Sequence, residues 1–469
     1  MTEPATPVQA PPSKLLAWSL VVLAPLPGTL AFAPYYVWWV MPLMSWMLLV
    51  GIREMSPRTA FLAGLVNGTL LFAVTMSWLW NLFDVLSIVL WMILGGFTGI
   101  FSYFYRVGSL QFQNALGTSV FAALLWTGVE HFRSEVFVLK FPWITPGVAL
   151  PPGWLSPLIG TYGVTFLVIL AAALLTHRRC RWLGGSVLIL LYASVLIPRS
   201  VPASDGTPVR VIALQNEGGA FKHHLDQSAS VPGNVDLVIW PEHSVPYALM
   251  DQERQLGELQ AFLNQRNAIA VIGTRRMEPT REAPDGSSAW FNMACAISAD
   301  AILGYHDKNH PVHFFNDGIA GTTAGTVDTP FGKMGMPVCF DVDFQDVVRR
   351  MTLAGAELIA APTMDSESWS EKQHVQHAQL FRHRAAENGR WIAVAATSGV
   401  TQIIDSLGHT RAQLPLMRRG VLDSYLFTQS DLTFFTRWGW MLGPGCMWLT
   451  GVLVIAGIPL HWWLCRKRG

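Results

Sequence analysis

The sequence predicts a two-part molecule: an α-helical membrane domain of about eight spans, and an α/β domain inserted before the last of them. Three observations predict it. The 469-residue chain is 51% hydrophobic and only 13% charged, whereas roughly a quarter of the residues in ordinary soluble domains are charged. Apolar runs close to the ~20 residues that a helix needs to cross a bilayer crowd the first 200 positions and recur at the end. Between residues 200 and 436 the texture changes to short Val- and Ile-rich runs alternating with helical ones, which marks layered strands and helices.

The Pro- and Ala-rich start, residues 1–13, reads as a disordered tail. Residues 14–199 form the membrane domain, with seven spans: Leu15–Phe32, Tyr35–Val50, Thr59–Leu79, Val85–Tyr105, Leu110–Val129, Leu155–Thr176 and Leu183–Ile197. Pro25, Pro27 and Pro34 leave room for two half-length segments at the first boundary. An eighth span, about Trp440–Leu464, lies in the 437–469 segment and ends in the basic tail Arg466-Lys-Arg468. Lys14, Arg53, Arg58, Arg106, the His177–Arg181 cluster and that tail fall on one side. Lys and Arg accumulate in cytoplasmic loops. Cytoplasmic termini and an extracytoplasmic 200–436 domain are therefore expected, with Arg133 and Lys140 as the exceptions.

A formal charge of +1 excludes the basic surface that nucleic acid requires. The cysteines at 180, 295, 339, 446 and 465 have no metal spacing and make no disulfide framework. His306, His310, His313, His374 and His377 match no zinc signature, so no metal is expected.

Within the polar block, strands are expected at Val209–Gln215, Val235–Trp240, Ile269–Gly273, Phe291–Ser298, Ala301–Tyr305, Met334–Phe340, Leu358–Pro362, Ile392–Thr397 and Gln402–Ile404. Helices are expected at Gln252–Asn267, Phe344–Ala354 and Glu371–Asn388. Three chemically apt side chains then fall at strand ends: Glu242 in Trp240-Pro-Glu242, Lys308 in Asp307-Lys-Asn-His310, and Cys339 in Pro-Val-Cys339-Phe-Asp341. A thiol nucleophile needs a base for its proton and a donor for the oxyanion it creates. Glu242 suits the first task and Lys308 the second, with the backbone N–H of Phe340 as a further donor. Singly each residue has a plain structural reading; order, placement and spacing together favour the chemistry.

Glu242, Lys308 and Cys339 sit where the nitrilase, or carbon–nitrogen hydrolase, superfamily carries its Glu-Lys-Cys triad. With the flanking spans the chain resembles the apolipoprotein N-acyltransferases of bacterial inner membranes. Leu30-Ala-Phe-Ala-Pro34, Glu130-His-Phe-Arg133-Ser134, Phe141-Pro-Trp143, Ile159-Gly-Thr-Tyr-Gly163-Val-Thr-Phe166, Gln376–Glu387 and Leu432–Arg437 also look familial. The resemblance implies an αββα sandwich catalytic domain outside the membrane. It also implies transfer of a fatty acyl chain from a phospholipid, through a Cys339 thioester, to the N-terminal amine of an S-diacylglyceryl-cysteine apolipoprotein. No metal or dissociable cofactor is implied; the partners are the phospholipid donor, the apolipoprotein acceptor and the bilayer.

The chain departs from the family pattern after the lysine, where Asn316 replaces a supporting glutamate or Asp317 takes its part. Asp341 stands for a glutamate two residues after the cysteine, and Met364–Trp369 differs from the usual Asn-Asp-Ala-Trp-Phe. Asp341 is expected to support the site, and Trp240, His310, Asn316, Asp365 and Trp369 to contact substrate. Two alternatives stay open: a membrane-mounted amidase in which water takes the acyl group, and a non-catalytic lipid- or lipoprotein-binding relative.

Overall fold

The computed structural model describes residues 13–111, 114–200, 206–282 and 288–468; the tail Thr2–Pro12 lies outside them. By internal contacts the chain forms two compact units. One comprises the chain up to Arg133, Thr165–Tyr192 and the chain from Gly443; the other comprises Ser134–Val164 and Ala193–Leu442.

The first unit is helical. Lys14–Ala31, Pro57–Thr75, Leu86–Ser109 and Ser156–Leu175 are long and apolar enough to cross a membrane; the last of these passes from one unit to the other. The first is two pieces, Lys14–Leu23 and Pro25–Ala31, because Pro25 opens a new helix. The other expected spans are also helical but shorter or differently bounded. Trp38–Val40 is a 3-10 turn ahead of Met41–Ile52, and Asn114 caps a helix that starts at Ala115 rather than Leu110. Arg181–Leu196 and Leu442–Arg468 complete the set. Pro57–Thr75 and Leu86–Ser109 pack backbone to backbone: a Cβ on Gly68 would lie 2.7 Å from Gly95 Cα, the close approach that small residues allow between helices in lipid. Arg133 is buried 3.8 Å from Glu130, so it is not a free loop charge.

The second unit is built on two six-stranded sheets. The strands are β1 (Pro208–Gln215), β2 (Leu237–Ile239), β3 (Ile269–Glu282), β4 (Ser288–Ile297), β5 (Ile302–Asp307), β6 (Val327–Thr329), β7 (Gly332–Gly335), β8 (Leu358–Thr363), β9 (Trp391–Ala396), β10 (Gln402–Ile404), β11 (Thr410–Gln413) and β12 (Gly420–Phe427). One sheet runs β12-β1-β2-β3-β4-β5 and the other β11-β10-β9-β8-β7-β6. The period of 2 along a strand decides which side chain goes where. Val209, Val211 and Ala213 of β1 join Leu237, Ile239, Leu358, Ala360, Ala393 and Ile403 in the core between the sheets. Ile212 and Leu214 turn outward under the helices Phe221–Ala229 and Glu253–Arg266. Ile359, Ile392 and Val394 of the second sheet meet Asp346–Leu353 and Glu371–Asn388 in the same way. The result is the helix–sheet–sheet–helix sandwich.

Gly160 interrupts Ser156–Leu175 at φ 61, a backbone conformation that glycine adopts cheaply. A Cβ there would lie 2.4 Å from the Phe435 ring. The kink lets the Thr161 N–H donate to Glu387 Oε1 at 2.8 Å, while Arg384 closes on Glu387 Oε2 at 2.8 Å and Gln345 Nε2 donates to Glu387 Oε1 at 2.8 Å. The familial runs at 159–166 and 376–387 thus meet around one buried carboxylate.

Candidate active site

Glu242 is carried three residues past the end of β2, which is fully buried between β1 and β3. Gly273 on β3 makes room: a Cβ there would sit 2.3 Å from Pro241 O and 2.5 Å from Glu242 Cα. Lys308 follows β5 directly, and its N–H donates to the Asn292 carbonyl at 2.8 Å. Its Nζ lies 2.8 Å from Glu242 Oε1 and 2.8 Å from Asp317 Oδ2. Asn292 Nδ2 completes the square, donating at 2.6 Å to Glu242 Oε1 and at 2.6 Å to Asp317 Oδ1. Among the described residues no hydrogen bond reaches Glu242 Oε2, so one carboxylate oxygen is fixed and the other is left for a proton. Burial alone would lower the Lys308 pKa, but the charges of Asp317 and Glu242 outweigh it and raise it well above the usual lysine value. The same ammonium overcomes the effect of burial on Asp317 and holds its carboxyl below the usual range. Glu242, His243 and Asp317 cluster closely enough to hold a cation; Lys308 supplies that charge.

The strand expected to run through Phe340 ends at Gly335, and Cys339–Val342 is instead a 3-10 turn entered with Cys339 at φ 47. A left-handed non-glycine residue costs about 1–2 kcal/mol, so its surroundings must impose it. Asp341 does so. Its Oδ2 accepts from the Val338 N–H at 3.1 Å and lies 2.9 Å from His306 Nε2; its Oδ1 accepts from the N–H groups of Asn309 at 2.9 Å and His310 at 2.8 Å. One fully buried carboxylate therefore ties the cysteine turn to the loop leaving Lys308. The Cys339 thiol donates to the Met364 carbonyl, 3.6 Å away beyond the end of β8. Burial pushes that thiol well above its ordinary pKa, the Glu242 and Asp365 charges push it further, and Lys308 pulls it down. The thiol is protonated at rest, and a protonated thiol becomes a nucleophile only with a base to take its proton. Cys295, on β4, is a core residue whose pKa burial pushes up to about 12.

The remaining expected residues are placed unequally. Asp317, not Asn316, carries the second carboxylate; Asn316 is exposed. Trp240 is fully buried in the layer beneath Phe221–Ala229, with its indole N–H on Ser228 Oγ at 2.9 Å, and packs rather than lining the mouth. His310 packs against Phe344 with ring centroids 4.1 Å apart and bridges Asp346 and Lys140 at 2.9 and 2.8 Å. Phe340 packs between Phe141 and Phe344. Trp369 meets Phe315, with ring centroids 5.6 Å apart. Asp365 is buried against His377 Nδ1 at 2.8 Å and Gln373 at 3.0 Å. Sequence reasoning missed Asn292, although a lone amide within the apolar run Ala289–Ile297 was a readable signal.

A two-sheet sandwich with a carboxylate past the end of β2, an ammonium past the end of β5 and a thiol in the 3-10 turn after β7 fits the carbon–nitrogen hydrolase class. The carbon-nitrogen hydrolase family model matches residues 215–422, and the apolipoprotein N-acyltransferase N-terminal domain model matches residues 26–174. The chain is 25% identical to the apolipoprotein N-acyltransferase of Geobacter metallireducens, with 88% of this chain and 89% of that protein covered. It is 27% identical to the Pseudomonas aeruginosa protein of the same name, over 97% of this chain and 96% of the other. The chain belongs to the apolipoprotein N-acyltransferase family of the nitrilase superfamily, and it is an acyltransferase.

Proposed function

We propose that the protein moves a fatty acyl chain from a phospholipid to the N-terminal amine of S-diacylglyceryl-cysteine apolipoproteins, through a thioester on Cys339. The observation that carries this reading is the Lys308 ammonium held by Glu242 and Asp317, with its field and that of Glu242 acting on one buried thiol. Glu242 Oε2 takes the thiol proton as sulfur attacks the ester carbonyl. Lys308 stabilises the tetrahedral oxyanion. Collapse breaks the ester C–O bond, and the leaving lysophospholipid alkoxide receives the proton from Glu242. The acceptor amine then attacks the thioester and gives its proton to Glu242; the C–S bond breaks, and the thiolate recovers that proton. Asp317 and Asn292 hold Lys308 and Glu242 in register throughout.

Membrane helices suit this chemistry, since both substrates live in lipid and confinement removes the cost of extracting their chains. The charge pattern supports an extracytoplasmic catalytic domain at residues 200–436, cytoplasmic termini and residence in a bacterial inner membrane. The test is mass spectrometry of a diacylglyceryl lipoprotein N-terminus incubated with phospholipid and either wild-type protein or Cys339→Ala. One added amide-linked acyl chain with wild type alone is expected. An unchanged acyl count with wild type overturns the reading, and release of free fatty acid in its place favours hydrolysis.

A further inference from the structure

We propose that Arg275 binds the phosphodiester of the acyl donor at the mouth of the site. This rests on the acyl-transfer reading above and adds to it the group that recognises the donor's head. Arg275 on β3 stands directly opposite Asn292 on antiparallel β4, and residues so paired send their side chains to the same face. Asn292 spends its amide on Glu242 and Asp317, so that face is the face of the site. Trp290, two residues before Asn292, shares it, and the Arg275 guanidinium lies 4.0 Å from the Trp290 ring centroid.

The Asp317 charge reaches Arg275. Yet among the described residues the guanidinium makes no hydrogen bond or ion pair, and its Nε is buried without a partner. Arg276, on the opposite face, shows the contrast: Asp307 accepts from its Nη2 at 2.6 Å and from its Nε at 3.3 Å.

Charge explains why such a cation is needed. Glu242 and Asp317 set two negative charges against the one positive charge of Lys308, so an approaching anion meets net repulsion. In a glycerophospholipid the phosphodiester is tied to the reacting ester through the glycerol carbons. A site that takes the ester must therefore accept the phosphate a few bonds away. A guanidinium stacked on an indole keeps its edge donors for two phosphate oxygens.

The test compares acylation of Cys339 by phosphatidylglycerol and by neutral diacylglycerol in the same detergent micelles, for wild type, Arg275→Gln and Arg275→Lys. For Arg275→Gln the half-saturating phosphatidylglycerol concentration should rise about tenfold or more, the loss expected for a charged hydrogen bond. Its maximal rate and its reaction with diacylglycerol should stay close to wild type, and Arg275→Lys should recover part of the loss. Wild-type behaviour of Arg275→Gln with both lipids, or an equal loss with both, overturns the assignment. Wild-type protein acylated by neither lipid instead sinks the acyl-transfer reading, and the assignment with it.

Discussion

Lys308→Met should abolish acyl transfer and loosen the catalytic unit at once. The ammonium is almost fully buried and is the charge partner of both Glu242 and Asp317 at 2.8 Å. Removing an oxyanion donor from a preorganised site costs about 100- to 1,000-fold in rate. Here the loss is compounded, because two buried carboxylates are left facing each other across Asn292. Breaking one side of a buried ion pair costs about 3–5 kcal/mol. Both effects are readable on one variant, as transfer rate and as thermal midpoint. A midpoint lowered without loss of rate would leave Lys308 a structural residue and remove the oxyanion role.

His377→Leu should have the second largest effect, and chiefly on stability. His377 Nδ1 is 2.8 Å from Asp365 Oδ1, and its Nε2 is 3.0 Å from Asp343 Oδ1, an ion-pair distance with poor hydrogen-bond alignment. Trp143 stacks on the ring at 5.6 Å and donates its indole N–H to Asp343 Oδ2 at 2.5 Å. Burial opposes the imidazolium, but the Asp365 and Asp343 charges prevail and raise its pKa from 6.5 to about 10. Leucine would strand both carboxylates at a cost of about 3–5 kcal/mol, which for a unit of this size lowers the midpoint by on the order of 10 °C.

The pH dependence has a definite sign. The folded state holds a proton that the unfolded chain releases above pH 6.5, so the stabilisation is complete below that pH. It declines above it and is gone once pH passes about 10. Wild-type midpoints should show this alkaline decline, and His377→Leu should lack that component. A midpoint in His377→Leu equal to wild type at neutral pH would show that the ring does not hold the two carboxylates. Because Asp365 precedes the turn at Ser366 and follows Met364, whose carbonyl receives the Cys339 thiol, the same variant should also disturb the placement of that thiol.

Much of the fold was legible because both faces of the central strands are buried, which concentrates Val, Ile and Ala into short uninterrupted runs. Gln402–Ile404 and Glu371–Asn388 fall where the pattern puts them. The miss at Met334–Phe340 has a physical cause. The run Met336–Val338 is buried and apolar like a strand, but the chain turns at Cys339 because Asp341 bonds to His306, Asn309 and His310, partners distant in sequence that leave no local signature. β12 was unreadable for another reason: it is a half-exposed edge strand, and its mixed pattern is imposed by its eight-residue register with β1. At the site, expected strand ends singled out Glu242, Lys308 and Cys339, although Cys339 lies in a 3-10 turn beyond the end of β7. The choice between Asn316 and Asp317 was not available, since it depends on a loop returning its carboxylate to Lys308. Asn292 and Arg275 needed the β3–β4 register before either could be connected to Glu242.

The most direct test of the central claim is the intact mass of the purified protein after incubation with phospholipid and no acceptor. A gain of one fatty acyl group, mapped to Cys339, removed by hydroxylamine and absent from Cys339→Ala, is the predicted result. Turnover that proceeds while Cys339 stays unmodified, or an adduct on any other residue, would contradict it.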